Sequence, residues 1–443
     1  MFVFTRNAKL LAIALMIVGA VGLIIGFTSP AHSPEEAHAT EAHATEAPAT
    51  EAHATEAHAT EAHATEAPAT EAHASHPDKS GNRPWAALLV NSIFFLSFGI
   101  GATFFLAVQY AAQAGWSAGL TRVFEAVALW VIVPLVVILI IAVAGVQHVH
   151  GIWHWMHEGV MDPASPNYDS LIAGKEAFLN APFFLARLVM YIVIWFGAAY
   201  LFRRNSIKED GLPKGQNLWG KQRALAATFL VLYAVTSSTS AWDIIMSIDV
   251  HWFSTLFGWY TFAGMFVTGL TGLNILVIYL RVGGHIPWVN ENHQHDLGKF
   301  MFAFSIFWTY LWFSQYMLIW YANIPEEVTY YLARFGEYKL YFVAMVALNF
   351  LVPFLLMIGR DNKRIMGFIL FAAFFVLIGH WMDHYIMIMP GAVGLHYGFG
   401  PAEWGGFLFY SGLFIYFVLT QLSKAPLIQK NHPLLKESEL FHQ

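Results

Sequence analysis

The sequence predicts an all-α polytopic membrane protein with ten transmembrane helices. Of the 443 residues, 57% are hydrophobic and only 12% are charged, whereas a soluble domain carries about 25% charged residues. The mean hydropathy is +0.52. The apolar residues also fall in long runs separated by short polar segments, which is typical of helices that cross a bilayer.

Ten segments are long enough to span a membrane, which takes about 20 mostly apolar residues in a helix. They are 10–27, 85–111, 123–146, 179–202, 222–247, 256–281, 299–322, 338–359, 364–389 and 404–422. The first follows Arg6 and Lys9, a pattern shared by signal peptides and membrane anchors. Its length and the lack of a small-residue cleavage site after it favour a retained anchor.

The distribution of basic residues predicts the orientation, because cytoplasmic loops carry an excess of Lys and Arg. Of the 23 basic residues, 17 lie on the side that a cytoplasmic N-terminus assigns to the cytoplasm, five lie on the other side, and Arg187 lies within a span. Both termini are therefore predicted to be cytoplasmic.

Residues 36–75 are tandem pentads of the form EAHAT, EAPAT or EAHAS. Such a composition cannot form a packed core, so the segment is interpreted as a solvated periplasmic spacer. A metal-loading or proton-buffering role for its histidines is the alternative.

The chain contains no cysteine, which excludes disulfides, iron–sulfur ligation by this chain and cysteine-attached haem. It also lacks the glycine-rich phosphate loops and the HExxH motif. The net charge of −6 comes mainly from the acidic repeats and indicates no nucleic-acid partner. Any metal centres used in redox chemistry are therefore expected on partner proteins.

Asp243 lies inside the fifth span, about one turn from the predicted periplasmic surface, and Asp249 follows at that surface. A carboxylate in hydrocarbon costs several kcal/mol, so such residues usually face a partner or a water-filled path. Arg187 lies at a comparable depth on the preceding span. An ion pair with Asp243 would either only hold the helices together or tune a titrating carboxylate. Asp249 is either part of a proton path or a helix-end residue without a functional role.

The ninth span carries His380, Asp383 and His384 in its predicted outer third, and the two histidines share a helix face. Histidine titrates near neutral pH, which favours a proton relay. Metal or haem ligation is a weaker interpretation, and interfacial histidines bonded to headgroups or backbone are the structural alternative. The acidic and histidine side chains of the fifth and ninth spans are expected to converge in one wet cavity open to the periplasm.

The external loop after the third span is rich in histidine and includes His148 and His154. On the inner side, Glu125 lies one turn from Arg122 and is either interfacial or part of an inner half-channel. Other polar residues in the spans could line a water wire there or serve helix packing. They are Gln109, Tyr233, Ser237, Ser238, Thr239, Ser240, Thr268, Thr271 and Asn274.

Six stretches resemble a known family. They are NRPWAAL at 82–88, YAAQAGWS at 110–117, HxxxxxHWM at 148–156, KxxFLNxPFFLxR at 175–187, SIDVHWFSTLFGWYTFAGM at 247–265 and GHWMDHYIMIMPG at 379–391. They are similar to the ActF-type subunits (quinone-binding subunit 2) of bacterial alternative complex III. These belong to the polysulfide-reductase NrfD-like membrane subunits, and the resemblance covers nearly all of residues 82–422.

The resemblance implies two four-helix bundles, spans 2–5 and 6–9, flanked by spans 1 and 10. The expected divisions are an anchor (1–30), a repeat linker (31–81), the bundles (82–250 and 251–390), and a last span with a cytoplasmic tail (391–443). The resemblance also implies that the chain is a subunit of an oxidoreductase in the bacterial inner membrane. This enzyme would transfer electrons from quinol to cytochrome c or to another periplasmic acceptor. The implied partners are the homologous ActC, an Fe–S subunit and a multihaem cytochrome c subunit, with a terminal oxidase as a further candidate.

By residue, the resemblance implies a proton path at Asp243, Asp249, His380, Asp383, His384 and Arg187, with Glu125 on the inner side. It adds His148 and His154 as candidate quinone contacts, with menaquinone as the candidate ligand. No catalytic residue and no metal ligand is expected on this chain, and haem c and Fe–S clusters would belong to partner subunits. A stand-alone transporter and a structural scaffold subunit are the alternative functions.

Overall fold

The computed structural model describes residues 2–29, 79–213 and 215–442. Within these ranges every regular element is helical and no strand occurs, so the predicted all-α polytopic membrane fold is confirmed. The pentads at 36–75 lie outside the described residues, and both interpretations of them stay predictions.

Nine helical segments of the described chain are long and apolar enough to cross a membrane. In chain order the helices are α1 (Arg6–Thr28), α2 (Arg83–Ala111), α3 (Thr121–Ala128), α4 (Ile132–Val146), α5 (Ser170–Ala173), α6 (Ala181–Glu209), α7 (Trp219–Ile244), α8 (Leu256–Val282), α9 (Glu291–Ala322), α10 (Pro325–Phe335), α11 (Lys339–Val346), α12 (Val352–Met357), α13 (Met366–Val393), α14 (Pro401–Ser423) and α15 (Leu435–Glu439). A 3₁₀ turn, Leu129–Val131, joins α3 to α4 in one span, and α11 and α12 form another.

The predicted span at 299–322 lies within α9, which is 32 residues long but is not among these nine segments. Its many tryptophan, tyrosine, serine and glutamine side chains keep its mean hydropathy low. The count of ten spans therefore stays a prediction.

The helices pack in two groups around α2, whose length is almost entirely buried. In the first group α2 contacts α3, α4 and α7, and α6 contacts α4 and α7. In the second group α8 contacts α9 and α13, while α11 and α12 pack on α13. The groups meet where α2 crosses α8, and there Gly101 and Gly269 let the two backbones approach closely.

α1 packs along α14 through small residues. A Cβ atom added at Gly405 would lie 2.5 Å from the backbone nitrogen of Leu23, and one added at Gly22 would lie 2.8 Å from the Cα of Gly405. Close backbone approach of this kind is a common way for helices to associate in lipid. The first and last long helices therefore form a pair at the periphery of the protein.

The span formed by α11 and α12 is interrupted by a π-helical turn, Ala347–Leu351. Pro353 follows it, and the proline lacks the N–H that would bond to the carbonyl of Asn349 in a regular α-helix. Insertion of a wider turn accommodates this lost bond. π-helical turns inside α-helices are frequent at functional sites.

Candidate functional site

Asp243, near the end of α7, forms a bidentate ion pair with Arg187 on α6. Arg187 Nε and Nη2 donate to the two carboxylate oxygens, each at 2.8 Å. Tyr191, one turn after Arg187, donates its hydroxyl to Asp243 at 2.5 Å. The rings of Phe178 and Phe183 lie 4.0 and 4.1 Å from the guanidinium carbon. Asp243 is completely buried, and the ion pair predicted from depth is present.

Asp383, on α13, has a different environment. Tyr260 on α8 donates its hydroxyl to one carboxylate oxygen, and Trp308 on α9 donates its indole N–H to the other at 3.0 Å. Nδ1 of His380, one turn earlier on α13, lies 3.7 Å from Asp383. This carboxyl group is thus held by neutral hydrogen-bond donors, and no arginine or lysine of the described chain forms an ion pair with it.

His380 and His384 are both completely buried. Nδ1 of His384 lies 2.6 Å from the backbone carbonyl of His380, so Nδ1 carries the proton and donates it. Neither ring nitrogen of His380, nor Nε2 of His384, has a hydrogen-bond partner. Of the structural alternative, the bond to the backbone is present at His384, whereas neither ring reaches the protein surface, where a headgroup could contact it.

The acidic residues of the fifth and ninth predicted spans have separate partners. Asp243 contacts α6 within the first group of helices, whereas Asp383 contacts α8 and α9 within the second. Across the described part of the chain, no hydrogen bond or ion pair joins the two carboxylates. The single wet cavity expected from the sequence is not evident in these contacts, because each carboxylate is enclosed by its own neighbours.

Asp249 follows the 3₁₀ turn Met246–Ile248 and contacts Arg334 on α10 at 3.1 Å. Arg334 is buried and also donates to the backbone carbonyls of Ile386 and Met387 near the end of α13. Its guanidinium carbon lies 3.4 Å from the ring centre of Tyr330. Asp249 therefore helps to fasten α10 onto α13 on the predicted periplasmic side.

Glu125, on α3, lies between two arginines. Arg203 Nη1 on α6 is 3.3 Å from the carboxylate, and Arg122 Nε is 3.7 Å from it. Arg122 also pairs with Asp210 at 2.7 Å. Glu125 is completely buried within the protein and Arg122 is almost so. Whether Glu125 lies at the membrane interface or in an inner half-channel stays a prediction. Arg203 belongs to a helix distant in sequence, so spacing alone could not reveal this enclosure.

Most polar residues predicted to line an inner water wire bond to their own helix. Hydroxyl or amide groups donate to the carbonyl one turn earlier at Ser240, Thr268, Thr271 and Asn274. Gln109 accepts a hydrogen bond from Ser117. These contacts favour the helix-packing interpretation.

His148 and His154 line the same cavity on the predicted periplasmic face, with a volume of about 590 Å³. Lys79, His157 and Glu158 also line it. Burial, with smaller contributions from His157 and Lys79, lowers the pKa of His154 to about 4. The imidazole of His154 is therefore neutral at pH 7, and one of its nitrogens can accept a hydrogen bond.

The described residues contain no group of three or more histidine, aspartate or glutamate side chains with a metal-binding arrangement. No protein-family model matches the chain, and no curated protein is similar to it. The resemblance to known membrane subunits therefore rests on the sequence motifs alone.

The structure adds partners that the sequence did not identify. Tyr191 is four residues after Arg187 and so shares its helix face, a signal that could have been used. Tyr260 and Trp308 surround Asp383 from two other helices, and Arg334 reaches Asp249 from a short surface helix. No local spacing pattern predicts these three contacts, because they join residues far apart in the chain.

Proposed function

We propose that this chain is a membrane subunit of a respiratory quinol:periplasmic-acceptor oxidoreductase of the alternative complex III type, and that its buried carboxylates form proton-conducting half-channels. The motif resemblance supports the assignment to this class of complex. The multi-pass helical fold supports a role inside the membrane.

The observation that carries the proton-conducting part of the proposal is the burial of carboxylates in both halves of the first helix group. Glu125 lies on α3, which begins at the predicted cytoplasmic side, and Asp243 lies near the end of α7, at the predicted periplasmic side. Ionisable residues at such depth are rare and usually mark ion or proton pathways. The two residues would belong to the inner and outer half-channels.

The ion pair would couple the protonation state of Asp243 to the position of Arg187. Ionised Asp243 accepts hydrogen bonds from Arg187 and Tyr191. Protonation of the carboxylate weakens its attraction to Arg187, and the guanidinium then needs another acceptor, which the carbonyl of Phe178 already offers at 3.0 Å. Proton arrival at Asp243 would thus reposition Arg187.

Asp383 offers a second proton site with different chemistry. Its hydrogen bonds come from Tyr260 and Trp308, so the gain of a proton there breaks no arginine ion pair. His380 lies 3.7 Å away and can exchange a proton with this carboxyl group after a small movement. We assign Asp383, His380 and His384 to a branch of the outer half-channel in the second helix group, separate from the branch that contains Asp243 in the first group, with Asp249 on the same predicted periplasmic side.

The cavity lined by His148 and His154 fits a secondary quinone headgroup. Its volume of about 590 Å³ lies in the range of small-molecule pockets. Neutral His154 would accept a hydrogen bond from a quinol hydroxyl, and Lys79 would donate to a quinone oxygen. A bound menaquinol would release two electrons and two protons as it is oxidised to menaquinone, and the electrons would pass to an Fe–S or haem c centre on a partner subunit.

A scaffold subunit without its own proton role is the second candidate function. It is favoured by the fact that Asp243 and Glu125 are each already neutralised by arginine. In that case the ion pairs only hold helices together, as many buried pairs do.

The test is affinity purification of the chain from its native membrane in mild detergent. We expect an Fe–S subunit and a multihaem cytochrome c subunit to co-elute, together with quinol oxidation activity and a location in the bacterial inner membrane. Elution of the chain alone, with no haem and no quinol oxidation, would rule out the respiratory assignment and favour a stand-alone transporter.

A further inference from the structure

Asn349, His380 and His384 leave five buried polar atoms without a hydrogen bond. These atoms are both side-chain atoms of Asn349, both ring nitrogens of His380 and Nε2 of His384. All three side chains have no exposed surface. Native structures rarely leave buried polar atoms unpaired, and ordered water is a usual partner where protein groups are lacking.

The backbone brings the asparagine to α13. Asn349 lies in the middle of the π-helical turn Ala347–Leu351, and its side chain contacts Gly379 on α13. A Cβ atom at Gly379 would clash with the amide oxygen of Asn349. The glycine therefore makes room for the amide group, one residue before His380. The π-helical turn and the glycine together place a polar side chain against α13 inside the membrane domain.

The hydrogen-bond donors and acceptors among the unpaired atoms indicate which kind of ligand could bind them. The amide of Asn349 offers two donors and one acceptor, and an imidazole in its uncharged form, such as that of His380, offers one of each. Nε2 of His384 is an acceptor, because the proton of this ring is on Nδ1. A quinone has only acceptor atoms and would leave Nε2 of His384 unpaired. A small ligand that both donates and accepts hydrogen bonds suits the unpaired atoms of each of the three side chains.

We propose that Asn349, His380 and His384 bind internal water molecules along α13, from the π-helical turn at Asn349 past His380, beside Trp308 of α9, to His384, beside Phe94 of α2. Buried waters typically make about three hydrogen bonds to otherwise unpaired polar groups. These waters would place exchangeable protons beside His380, which is 3.7 Å from Asp383. The hydration site rests on burial and hydrogen bonding alone, so it stands whether or not the chain belongs to a respiratory complex.

Hydroxyl-radical labelling of the purified protein by brief X-ray pulses tests the site, because radicals form from water and modify side chains next to it. We expect His380 and His384 to be modified several-fold faster than Met301, which is equally buried but lies in an apolar cluster. Methionine is intrinsically more reactive towards hydroxyl radicals than histidine. Faster modification of the two histidines therefore cannot result from their intrinsic reactivity. Modification of both histidines no faster than that of Met301 would overturn the proposal.

The variant Asn349→Leu removes the amide and keeps a similar volume. We expect it to slow modification of His380, whereas Phe350→Leu in the same π-helical turn should leave the rate unchanged. Fast modification of His380 that persists in Asn349→Leu would overturn the assignment of Asn349 to the site. If Asn349→Leu does not fold, the wild-type comparison with Met301 still decides whether the site holds water. Neither measurement depends on partner subunits or on quinol oxidation.

Discussion

Arg187 and Asp243 face each other across α6 and α7 with two hydrogen bonds of 2.8 Å, and the carboxylate has no contact with solvent. Two charges at this depth are stable only as a pair, because either one alone would remain unsolvated. The same geometry suits two roles: an ion pair that only holds α6 and α7 together, and a proton site. Experiments on both Arg187 and Asp243 can separate these roles.

The first prediction concerns the stability of this pair. Asp243→Asn leaves Arg187 buried and uncompensated, and we expect a loss of about 3–5 kcal/mol. The double variant Asp243→Asn/Arg187→Gln removes both charges and should recover most of that loss. Thermal unfolding in detergent measures both effects. Equal stability of the single variant and the wild type would show that the pair does not exist in the folded protein.

The second prediction concerns the contact between α13 and the π-helical turn. Gly379→Ala would place a methyl group against the side chain of Asn349, and we expect a destabilisation of about 1–3 kcal/mol. Gly367→Ala on the same helix is the matched control, because a Cβ there meets no atom within 4 Å. It should be neutral or slightly stabilising. Coincident unfolding curves for Gly379→Ala and Gly367→Ala would contradict this packing.

The third prediction concerns the pairing of α1 with α14. Gly405→Ile would force the two backbones apart, and we expect a loss of about 1–3 kcal/mol and easier proteolysis after residue 28. Gly197→Ile on α6 is the control, since a Cβ at Gly197 meets no atom within 4 Å. Limited proteolysis combined with thermal unfolding reports both effects. If the Gly405→Ile variant resisted proteolysis and thermal unfolding as well as the Gly197→Ile variant, α1 would not be packed on α14.

The fourth prediction concerns pH and the loop that carries His154. Its folded pKa of about 4 lies below the ordinary value of 6.5, so the unfolded chain binds a proton first as pH falls. Above pH 6.5, His154 therefore does not lower the stability of the folded loop. Between pH 6.5 and about 4, it destabilises the loop progressively. Amide hydrogen exchange of residues 148–158 should speed up over this range, once corrected for intrinsic exchange.

The control for the pH effect is His154→Gln, which cannot bind a proton and should weaken the acceleration. Burial also lowers the pKa of His150 and His157, so part of the effect should remain in this variant. The same pH dependence in His154→Gln and in the wild type would contradict the assignment to His154.

Much of the helical fold follows from the sequence, because long apolar runs are local signals. The orientation that the basic residues indicate stays a prediction. The Arg187–Asp243 pair also followed, since consecutive antiparallel spans place residues of similar depth side by side. The environment of Asp383 did not follow, because Tyr260 and Trp308 come from helices far away in the chain. The π-helical turn at Asn349 was missed as well, although Pro353 gave a signal that the regular helix could not continue.

Quinol-driven proton uptake by the intact complex in liposomes tests the central claim, that Asp243 conducts protons. The double variant Asp243→Asn/Arg187→Gln is the decisive sample, because it removes the proton site and avoids an unpaired buried charge. We predict that it assembles with near wild-type stability but loses most proton uptake. Proton uptake and quinol oxidation at wild-type rates in a fully assembled double variant would contradict the claim and leave the ion pair with a structural role only.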